Sequence, residues 1–242
     1  MEQMEQNGHL HARGQQILRH HGGDAEHARK MITQSYERRH DVDFWEFWNA
    51  QMAPAISAGD LLLDLGAGIG QFVNDLALRY PDNKAIGVEA ANYMYAAKLT
   101  LPENATLLQA DLTDGILPIE EGSVAVIMAN MLIHELPQPV SLFRGIYHWL
   151  KPGGRFCIID LVRQPLESYL NHKFPEGEIW QAENANNKND KEKLEEVFEH
   201  FLEHNRYHAT DLIFMLAKIG FEIIENTPNG RFVRLVVEKP AG

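Results

Sequence analysis

Residues 61–70 read Leu-Leu-Leu-Asp-Leu-Gly-Ala-Gly-Ile-Gly, and this stretch decides the fold. An apolar run of strand length contains Asp64 and leads into a loop with glycine at every second position, at Gly66, Gly68 and Gly70. Glycine has no Cβ atom, so the backbone N–H groups of such a loop can approach a ligand closely. A dinucleotide-binding loop needs the spacing G-x-G-x-x-G, and Gln71 stands where its third glycine would fall. The spacing therefore favours a ligand other than a dinucleotide.

Apolar runs alternate with helix-length segments on the C-terminal side of this loop. Helices are predicted at about 70–80, 91–99 and 139–150. Strands separated by such segments need crossover connections, which give a largely parallel sheet covered on both faces. The predicted strands are 61–65, 84–88, 106–109, 123–129 and 155–161.

Turn and cap signals delimit the later elements. Lys151-Pro152-Gly153-Gly154 predicts a turn before the fifth strand, since proline and glycine continue neither a helix nor a strand well. An amphipathic helix is predicted at about 190–204, and a second helix at 211–219 with Thr210 as its N-cap and Gly220 as its end. Residues 221–224 and 232–238 predict a hairpin around Pro228-Asn229-Gly230.

Four segments follow from these patterns. Residues 1–56 predict an N-terminal helical cap whose first 23 residues are a loose helix or partly disordered. Residues 57–162 predict a cofactor-binding core, and 163–206 an inserted lid that interrupts the strand–helix alternation. Residues 207–242 complete the core with a helix and a hairpin.

Composition excludes several functional classes. The chain has 242 residues and a formal net charge of −12, which argues against binding nucleic acid or an anionic membrane surface. Cys157 is the only cysteine, so neither an internal disulfide nor a cysteine-based zinc cluster is expected. The N-terminus lacks the regions of a signal peptide, and no apolar run is long enough to cross a bilayer. A cytoplasmic protein is expected.

Further motifs stand in order after the glycine loop. Gly87-Val88-Glu89 ends the second predicted strand, and Leu108-Gln109-Ala110-Asp111-Leu112 ends the third. Ala129-Asn130-Met131-Leu132-Ile133-His134 follows the fourth, and Leu150-Lys151-Pro152-Gly153-Gly154-Arg155-Phe156 precedes the fifth. Together with D-x-G-x-G-x-G, they resemble the class I S-adenosylmethionine-dependent methyltransferases over most of residues 57–240. The resemblance implies a Rossmann-like, doubly wound, mostly parallel seven-stranded sheet whose last strand is antiparallel.

The resemblance also implies a cofactor, S-adenosyl-L-methionine, with S-adenosyl-L-homocysteine as product. The glycine loop, including Ala67, would approach the methionine part, and Asp64 would orient the loop. Glu89 and the adjacent Ala90 would lie at the ribose, because a carboxylate accepts hydrogen bonds from two hydroxyls at once. The remaining implied cofactor contacts are Asp111 and Leu112 at the adenine, Asn130 at the methionyl carboxylate, and Tyr36.

Candidate residues for catalysis and substrate binding are less specific. His134 follows the fourth strand, where a neutral imidazole can remove a proton from a nucleophile, but packing accounts for a histidine there equally well. Glu135 is expected to be solvated. His40, Trp45, Trp48 and Tyr207 are candidate substrate contacts, although an amphipathic helix packed on the sheet would also explain the tryptophans.

A metal site is not expected. His200, His204 and His208 recur at four-residue steps, but the last of them should lie beyond the end of the helix, and an open histidine pair is a poor site.

Several acceptors and activities stay open. A small metabolite is favoured, since the family's Asn/Asp-Pro-Pro-aromatic motif for planar amines is absent: Met131 and Leu132 follow Asn130. A protein or peptide acceptor is the alternative, followed by a non-catalytic S-adenosylmethionine-binding regulator and a nicotinamide-dependent oxidoreductase. The sequence carries no signal for an oligomeric state or for the methylated atom.

Overall fold

The computed structural model describes residues 2–20, 23–174, 195, 197–203 and 206–242. In this part of the chain a single sheet has the strand order β3-β2-β1-β4-β5-β7-β6. Strands β1 to β5 run parallel to one another, and β7 runs antiparallel to both β5 and β6. This confirms the predicted sheet. The strands are β1 (Leu61–Leu65), β2 (Lys84–Glu89), β3 (Ala105–Gln109), β4 (Val124–Asn130), β5 (Leu150–Leu161), β6 (Glu222–Asn229) and β7 (Phe232–Glu238).

Helices cover both faces of the sheet. Helices α3 and α4 pack on one face, and α6 and α9 pack on the other. Because β4 is covered on both sides, its sequence is continuously apolar and only its last residue, Asn130, is not fully buried. The helices are α1 (Glu2–His20), α2 (Ala25–Arg39), α3 (Val42–Gln51), α4 (Gln71–Arg79), α5 (Asn92–Tyr95), α6 (Val140–Trp149), α7 (Leu166–Lys173), α8 (197–203) and α9 (Ala209–Ile219).

The N-terminal segment is helical from residue 2 to 20. Asp24 caps α2 by accepting hydrogen bonds from the backbone N–H groups of Glu26 and His27. Asp41 caps α3 in the same way, with Phe44 as donor. The rest of the predicted helical cap therefore contains two separate helices, α2 and α3.

Four predicted boundaries are wrong. Strand β5 begins at Leu150, and Lys151–Gly154 form an irregularity within it, because Leu150 and Arg155 pair with nearby residues of β4. Helix α5 ends at Tyr95, although helix was predicted to residue 99. Helix α9 begins at Ala209 with His208 as its cap, so Thr210 lies inside it. Strand β6 extends to Asn229, although it was predicted to end at residue 224, so the hairpin turn is Gly230 and Arg231.

The aromatic cluster of α3 belongs to the core. Trp48 is fully buried, and its indole Nε1–H donates to the Tyr80 hydroxyl at 2.8 Å. Trp45 stacks under the Arg79 guanidinium, which lies 3.6 Å from the ring centroid. Both partners stand at the C-terminal end of α4, the end remote from the glycine loop. These positions give the tryptophans a packing role and do not support the predicted substrate contact.

The segment after β5 adds a small separate core. Tyr169 and Leu170 of α7 pack against Val197 of α8. The helix predicted at 190–204 is therefore observed over 197–203, and the rest of that prediction lies outside the described residues. Among the helices that the structure describes, none is long and apolar enough to cross a membrane.

Replacing Trp48 tests its role in the core. We expect Trp48→Ala to lower the free energy of unfolding by about 3–5 kcal/mol, because it leaves a large cavity and removes the partner of Tyr80. Urea denaturation measures this, with Leu78→Ala as the control, since Leu78 is 66% exposed on α4. The control should change stability by no more than about 0.5 kcal/mol. A Trp48→Ala loss as small as the control's would contradict the core assignment.

Candidate functional site

The glycine loop lies at the carboxyl edge of the parallel strands. Gly66, Gly68 and Gly70 have positive φ angles of 76°, 56° and 90°, a region that residues with a Cβ atom rarely adopt. The N–H groups of Gly66 and Ala67 donate to the carbonyl of Val88, and Gly70 is the N-cap of α4. The loop therefore wraps around the end of β2 before the chain enters α4.

Glu89, the last residue of β2, holds this loop in place. Its Oε2 atom accepts a hydrogen bond from the Gly68 N–H at 2.8 Å, and its Oε1 atom accepts one from the Ala91 N–H at 2.6 Å. The side chain is buried, and burial raises its pKa to about 7, while these hydrogen bonds oppose the rise. Glu89 is thus bound to the glycine loop and titrates near neutral pH.

A second buried carboxylate stands beside it. Asp64 lies in β1 and is 5% exposed, and burial together with the charge of Glu89 raises its pKa well above the ordinary value. Among the described residues, no hydrogen bond reaches the Asp64 carboxylate. Two neighbouring carboxylates in a buried position favour a ligand that carries positive charge or several hydrogen-bond donors.

Three buried polar atoms near this edge have no hydrogen-bond partner in the described part of the chain. They are Asn130 Oδ1 at the end of β4, the Tyr93 hydroxyl oxygen in α5, and His40 Nε2 after α2. Buried polar atoms are nearly always hydrogen-bonded, so an unmatched group needs an explanation such as a ligand. Of these residues, Asn130 and His40 were predicted as contacts, whereas Tyr93 was not.

Asp111 follows β3 at the same edge. Its Oδ1 atom accepts hydrogen bonds from the Thr113 N–H at 2.9 Å and the Thr113 hydroxyl at 2.7 Å, which fixes a local turn. Leu112 is buried in the core, and Ala110 donates its N–H to the Glu89 carbonyl at 3.2 Å. The structure therefore joins the chain after β3 to the end of β2, next to Ala90, as the predicted adenine and ribose contacts require.

The N-terminal helices cover the loop. A Cβ atom built on Gly68 would lie 3.3 Å from Met94 Cε and 3.9 Å from Ile32 Cγ2 of α2. Arg13 of α1 donates to the Glu135 carbonyl at 2.9 Å. Tyr36 donates its hydroxyl to Asp75 Oδ2 at 2.5 Å and stacks on the His40 ring, so both predicted residues lie where α2 meets the start of α4.

His134 is held by a buried carboxylate, Asp160 of β5. The ring atom Nδ1 lies 2.5 Å from Asp160 Oδ1. Asp160 is completely buried, and its Oδ2 atom also accepts the backbone N–H groups of Leu132, Ile133 and His134 itself. Burial alone lowers the pKa of His134, but the charge and hydrogen bond of Asp160 outweigh it, so the pKa lies above its ordinary value.

Two neighbours of His134 complete this region. Glu135 is 8% exposed, so the prediction that it is solvated is wrong: the turn Ile133–Glu135 folds it against the protein. The Tyr207 hydroxyl donates to the carbonyls of Leu136 at 3.1 Å and Pro137 at 2.8 Å. The structure therefore places Tyr207, a predicted substrate contact, against the segment that carries His134.

His200, His204 and His208 do not form a common cluster among the described residues. His200 Nδ1 lies 2.8 Å from the Tyr169 hydroxyl, His208 caps α9, and His204 lies outside the described residues. Within the described ranges, no group of three or more histidine, cysteine or acidic residues is arranged to hold a metal ion.

Comparison with known proteins finds a family model over the part of the chain that carries the glycine loop. A family model described as a methyltransferase domain matches residues 63–158, which contain the glycine loop, Glu89, Asp111 and His134. Together with the motifs at the strand ends, this match supports a class I S-adenosylmethionine-dependent methyltransferase. This match confirms the predicted family.

Individual methyltransferases show how far the likeness extends. The chain is 33% identical to an arsenite methyltransferase of Halobacterium salinarum, over 48% of this chain and 30% of that protein. It is 28% identical to a demethylmenaquinone methyltransferase of Lactococcus lactis, over 66% of this chain and 71% of that protein. The chain spans half or less of the length of three curated relatives that it matches.

The fold is also similar to solved methyltransferase structures. One is phosphoethanolamine N-methyltransferase 2 of Haemonchus contortus in complex with S-adenosyl-L-methionine, with a TM-score of 0.56 and 16% identity. The alignment covers 81% of this chain and 53% of that chain. At this identity the likeness supports the fold and not a shared acceptor.

Titration of Glu89 gives a testable pH dependence. The folded state holds this proton up to about pH 7, whereas the unfolded chain releases it near the ordinary pKa of 4.5. The free energy of unfolding should therefore fall as pH rises between these values, by about 3 kcal/mol for this group. Urea unfolding of the wild type and Glu89→Gln between pH 5 and pH 8 measures the difference.

The comparison needs a matched control because other groups also titrate. Glu103→Gln removes a carboxylate from an exposed loop and should leave the wild-type pH dependence in place. Glu89→Gln should have a smaller decline of stability with pH. Equal declines in the two variants would show that Glu89 is not the group that titrates.

Proposed function

We propose that this chain binds S-adenosyl-L-methionine at the glycine loop and transfers its methyl group to a small-molecule acceptor. The observation that carries the proposal is the buried carboxylate of Glu89 bound to the Gly68 N–H, at the edge where Asn130 Oδ1 has no partner. The family match supports the same reading.

The residues present suit this cofactor. Its ribose diol and amino group supply donors that Glu89, Asp64 and Asn130 Oδ1 can accept, and its positive charge suits a site with two buried carboxylates. The three glycines of the loop carry no side chains, so its backbone can approach a ligand closely. Bound there, the cofactor would supply a methyl group activated by a positively charged sulfur.

We assign the proton transfer to His134. Its Nδ1 atom faces Asp160, so with the ring proton on Nδ1 the basic nitrogen is Nε2, which lies 3.6 Å from Glu135 Oε1. As the acceptor atom bonds to the methyl carbon and the sulfur–carbon bond breaks, Nε2 would take the proton that the acceptor atom loses. Asp160 acts as a positioning residue that fixes the ring and stabilises its charged form.

The division into a cap (1–56), core (57–162), lid (163–206) and completing segment (207–242) serves this chemistry. Methyl transfer depends on alignment and on excluding water, so cover over the carboxyl edge is required. The contacts of Arg13 with Glu135 and of Ile32 near Gly68 support the cap. We propose that the segment containing α7 and α8 covers the acceptor, and that the protein acts in the cytoplasm.

The names of relatives do not identify the acceptor. They specify arsenite, demethylmenaquinone and phosphoethanolamine, which share neither charge nor shape. The proposal of a small molecule rests on the enclosed position of His134, which is 7% exposed and too deep for a folded protein surface. A screen of metabolite pools that measures S-adenosylhomocysteine release tests it directly. Cofactor binding without release for any small acceptor would favour a regulator or a protein methyltransferase.

Gly68→Ala tests the cofactor site. The added Cβ would lie 3.3 Å from Met94 Cε in a strained backbone with φ of 56°. We expect a loss of S-adenosylhomocysteine affinity of at least about tenfold in calorimetric titration, because the Cβ would press on Met94 and displace the loop backbone that approaches the ligand. Gly122→Ala is the matched control: φ is 65° and no atom lies within 4 Å, so it adds the strain without the crowding. Equal affinity in both variants would refute the loop assignment.

His134→Gln and Asp160→Asn test proton transfer once an acceptor is found. We expect His134→Gln to lower kcat about 10²–10⁴-fold and to abolish the acidic limb of the pH–rate profile. Asp160 raises the pKa of His134, with Glu135 acting in the same direction and Arg206 against it. Asp160→Asn should therefore move the acidic limb to lower pH. An unmoved limb would leave Asp160 a purely structural role.

A further inference from the structure

A cleft of about 470 Å³ opens beside the proposed site, between the connection from β5 to α7 and the turn of the β6–β7 hairpin. We call it the basic cleft. No acidic side chain is among its described lining residues, which are Arg163, Gln164, Pro165, Ser168, His172, Gly230 and Arg231. It combines two guanidinium groups and an imidazole with the hydroxyl of Ser168.

The arginines of this cleft differ from three other cations of the sheet. Arg155 pairs with Glu238, Arg234 with Glu225 and Lys151 with Asp60, at 2.8, 2.8 and 2.6 Å. In the described part of the chain, neither Arg163 nor Arg231 forms an ion pair. The chain carries 34 acidic residues against 22 lysines and arginines. Two neighbouring arginines without an ion pair to a described residue are therefore unexpected in so acidic a protein.

The topology brings the basic cleft to the edge of the sheet that carries the glycine loop. Leu161 at the end of β5 pairs with Phe232 at the start of β7, and Val162 donates to the Arg231 carbonyl at 2.9 Å. In the order β1-β4-β5-β7, strands about 4.8 Å apart place this position roughly 10–14 Å from β1. A small molecule can span that distance.

A chain of hydrogen bonds links the cleft to the segment of His134. The Arg163 N–H donates to the Tyr207 carbonyl at 2.7 Å. The Tyr207 hydroxyl in turn donates to the carbonyl of Pro137, three residues after His134. The cleft is therefore fixed relative to the proposed base, and a ligand held at one end has a defined position at the other.

We propose that the basic cleft binds an oxyanion, a phosphate or carboxylate group, on the methyl acceptor, while the atom to be methylated lies near His134. This inference rests on the proposed function and adds the acceptor's chemical class. Guanidinium groups bind such oxyanions through paired, charge-assisted hydrogen bonds. A nucleic acid would present many phosphates to a protein of net charge −12 and is disfavoured by repulsion outside the cleft.

The test titrates the full chain with inorganic pyrophosphate and, separately, with citrate, at an ionic strength held constant with sodium chloride. We expect one of these probes to bind, and the tighter one identifies phosphate or carboxylate as the preferred group. Arg163→Gln and Arg231→Gln should each weaken that binding by about tenfold or more. Arg144→Gln is the matched control, because it removes an equal charge from the exposed surface of α6 and should change affinity by less than about twofold.

Parallel titration with S-adenosylhomocysteine separates the two hypotheses. The Arg163→Gln, Arg231→Gln double variant should retain wild-type affinity for it, since both arginines lie outside the cofactor contacts. Wild-type binding of S-adenosylhomocysteine with no binding of either oxyanion would overturn the basic cleft and leave the proposed function intact. Oxyanion binding without S-adenosylhomocysteine binding would overturn the proposed function. A single-stranded oligonucleotide that binds more tightly than pyrophosphate would overturn the small-molecule assignment.

Discussion

The hydrogen bond from the Gly68 N–H to Glu89 is the constraint on which the site depends. It joins the loop after β1 to the last residue of β2 and fixes the glycine backbone in a conformation that the sheet alone does not impose. The bond requires a carboxylate in a buried position, where the charged form is disfavoured and the pKa rises to about 7. The charged form of Glu89 is thus destabilised by burial, and a polar ligand bound at this position would stabilise it.

Asp160 fixes the loop after β4 in the way that Glu89 fixes the glycine loop, by accepting backbone hydrogen bonds. Its carboxylate accepts hydrogen bonds from consecutive backbone N–H groups and from the His134 ring, although its side chain is completely buried. Such a carboxylate can remain in an apolar core because most of its acceptor positions are filled. Two buried acids therefore order two loops at one edge, with the glycine loop on one side and the proposed base on the other.

Sequence periodicity predicted the strand boundaries that local sequence determines. The bounds of β1 are as predicted, those of β2 and β3 differ by one residue at one end, and those of β4 by one residue at each end, because apolar runs and glycine loops mark them. The start of β5 was not predictable in this way, since the irregularity at Lys151–Gly154 depends on pairing with β4. His208 was likewise not predicted as the N-cap of α9. Its capping box with Asp211 depends on hydrogen bonds that the sequence alone does not distinguish from capping by Thr210.

The site residues also divide into those marked by a local sequence motif and those defined by contacts between distant parts of the chain. Motif residues such as Glu89 and Asp64 could be predicted because they adjoin the glycine loop in sequence or in the family pattern. Asp160 and Tyr93 were missed, because their relevance comes from contacts made across the sheet edge: Asp160 stands 26 residues from His134. The one available signal for Asp160 was a carboxylate inside the apolar run Phe156–Leu161, where an acid needs a partner to be buried.

Charge distribution connects these observations to the choice of acceptor. Asp64 and Glu89 are buried at β1 and β2, whereas Arg163 and Arg231, which pair with no acid of the described residues, lie two to three strands away beside β5 and β7. In an acidic protein, the basic cleft would attract anions, because the field is strongest where like charges converge against low-dielectric walls. A positively charged donor and a negatively charged acceptor would then bind at opposite ends of one edge, with His134 between them, and neither would compete for the other's position.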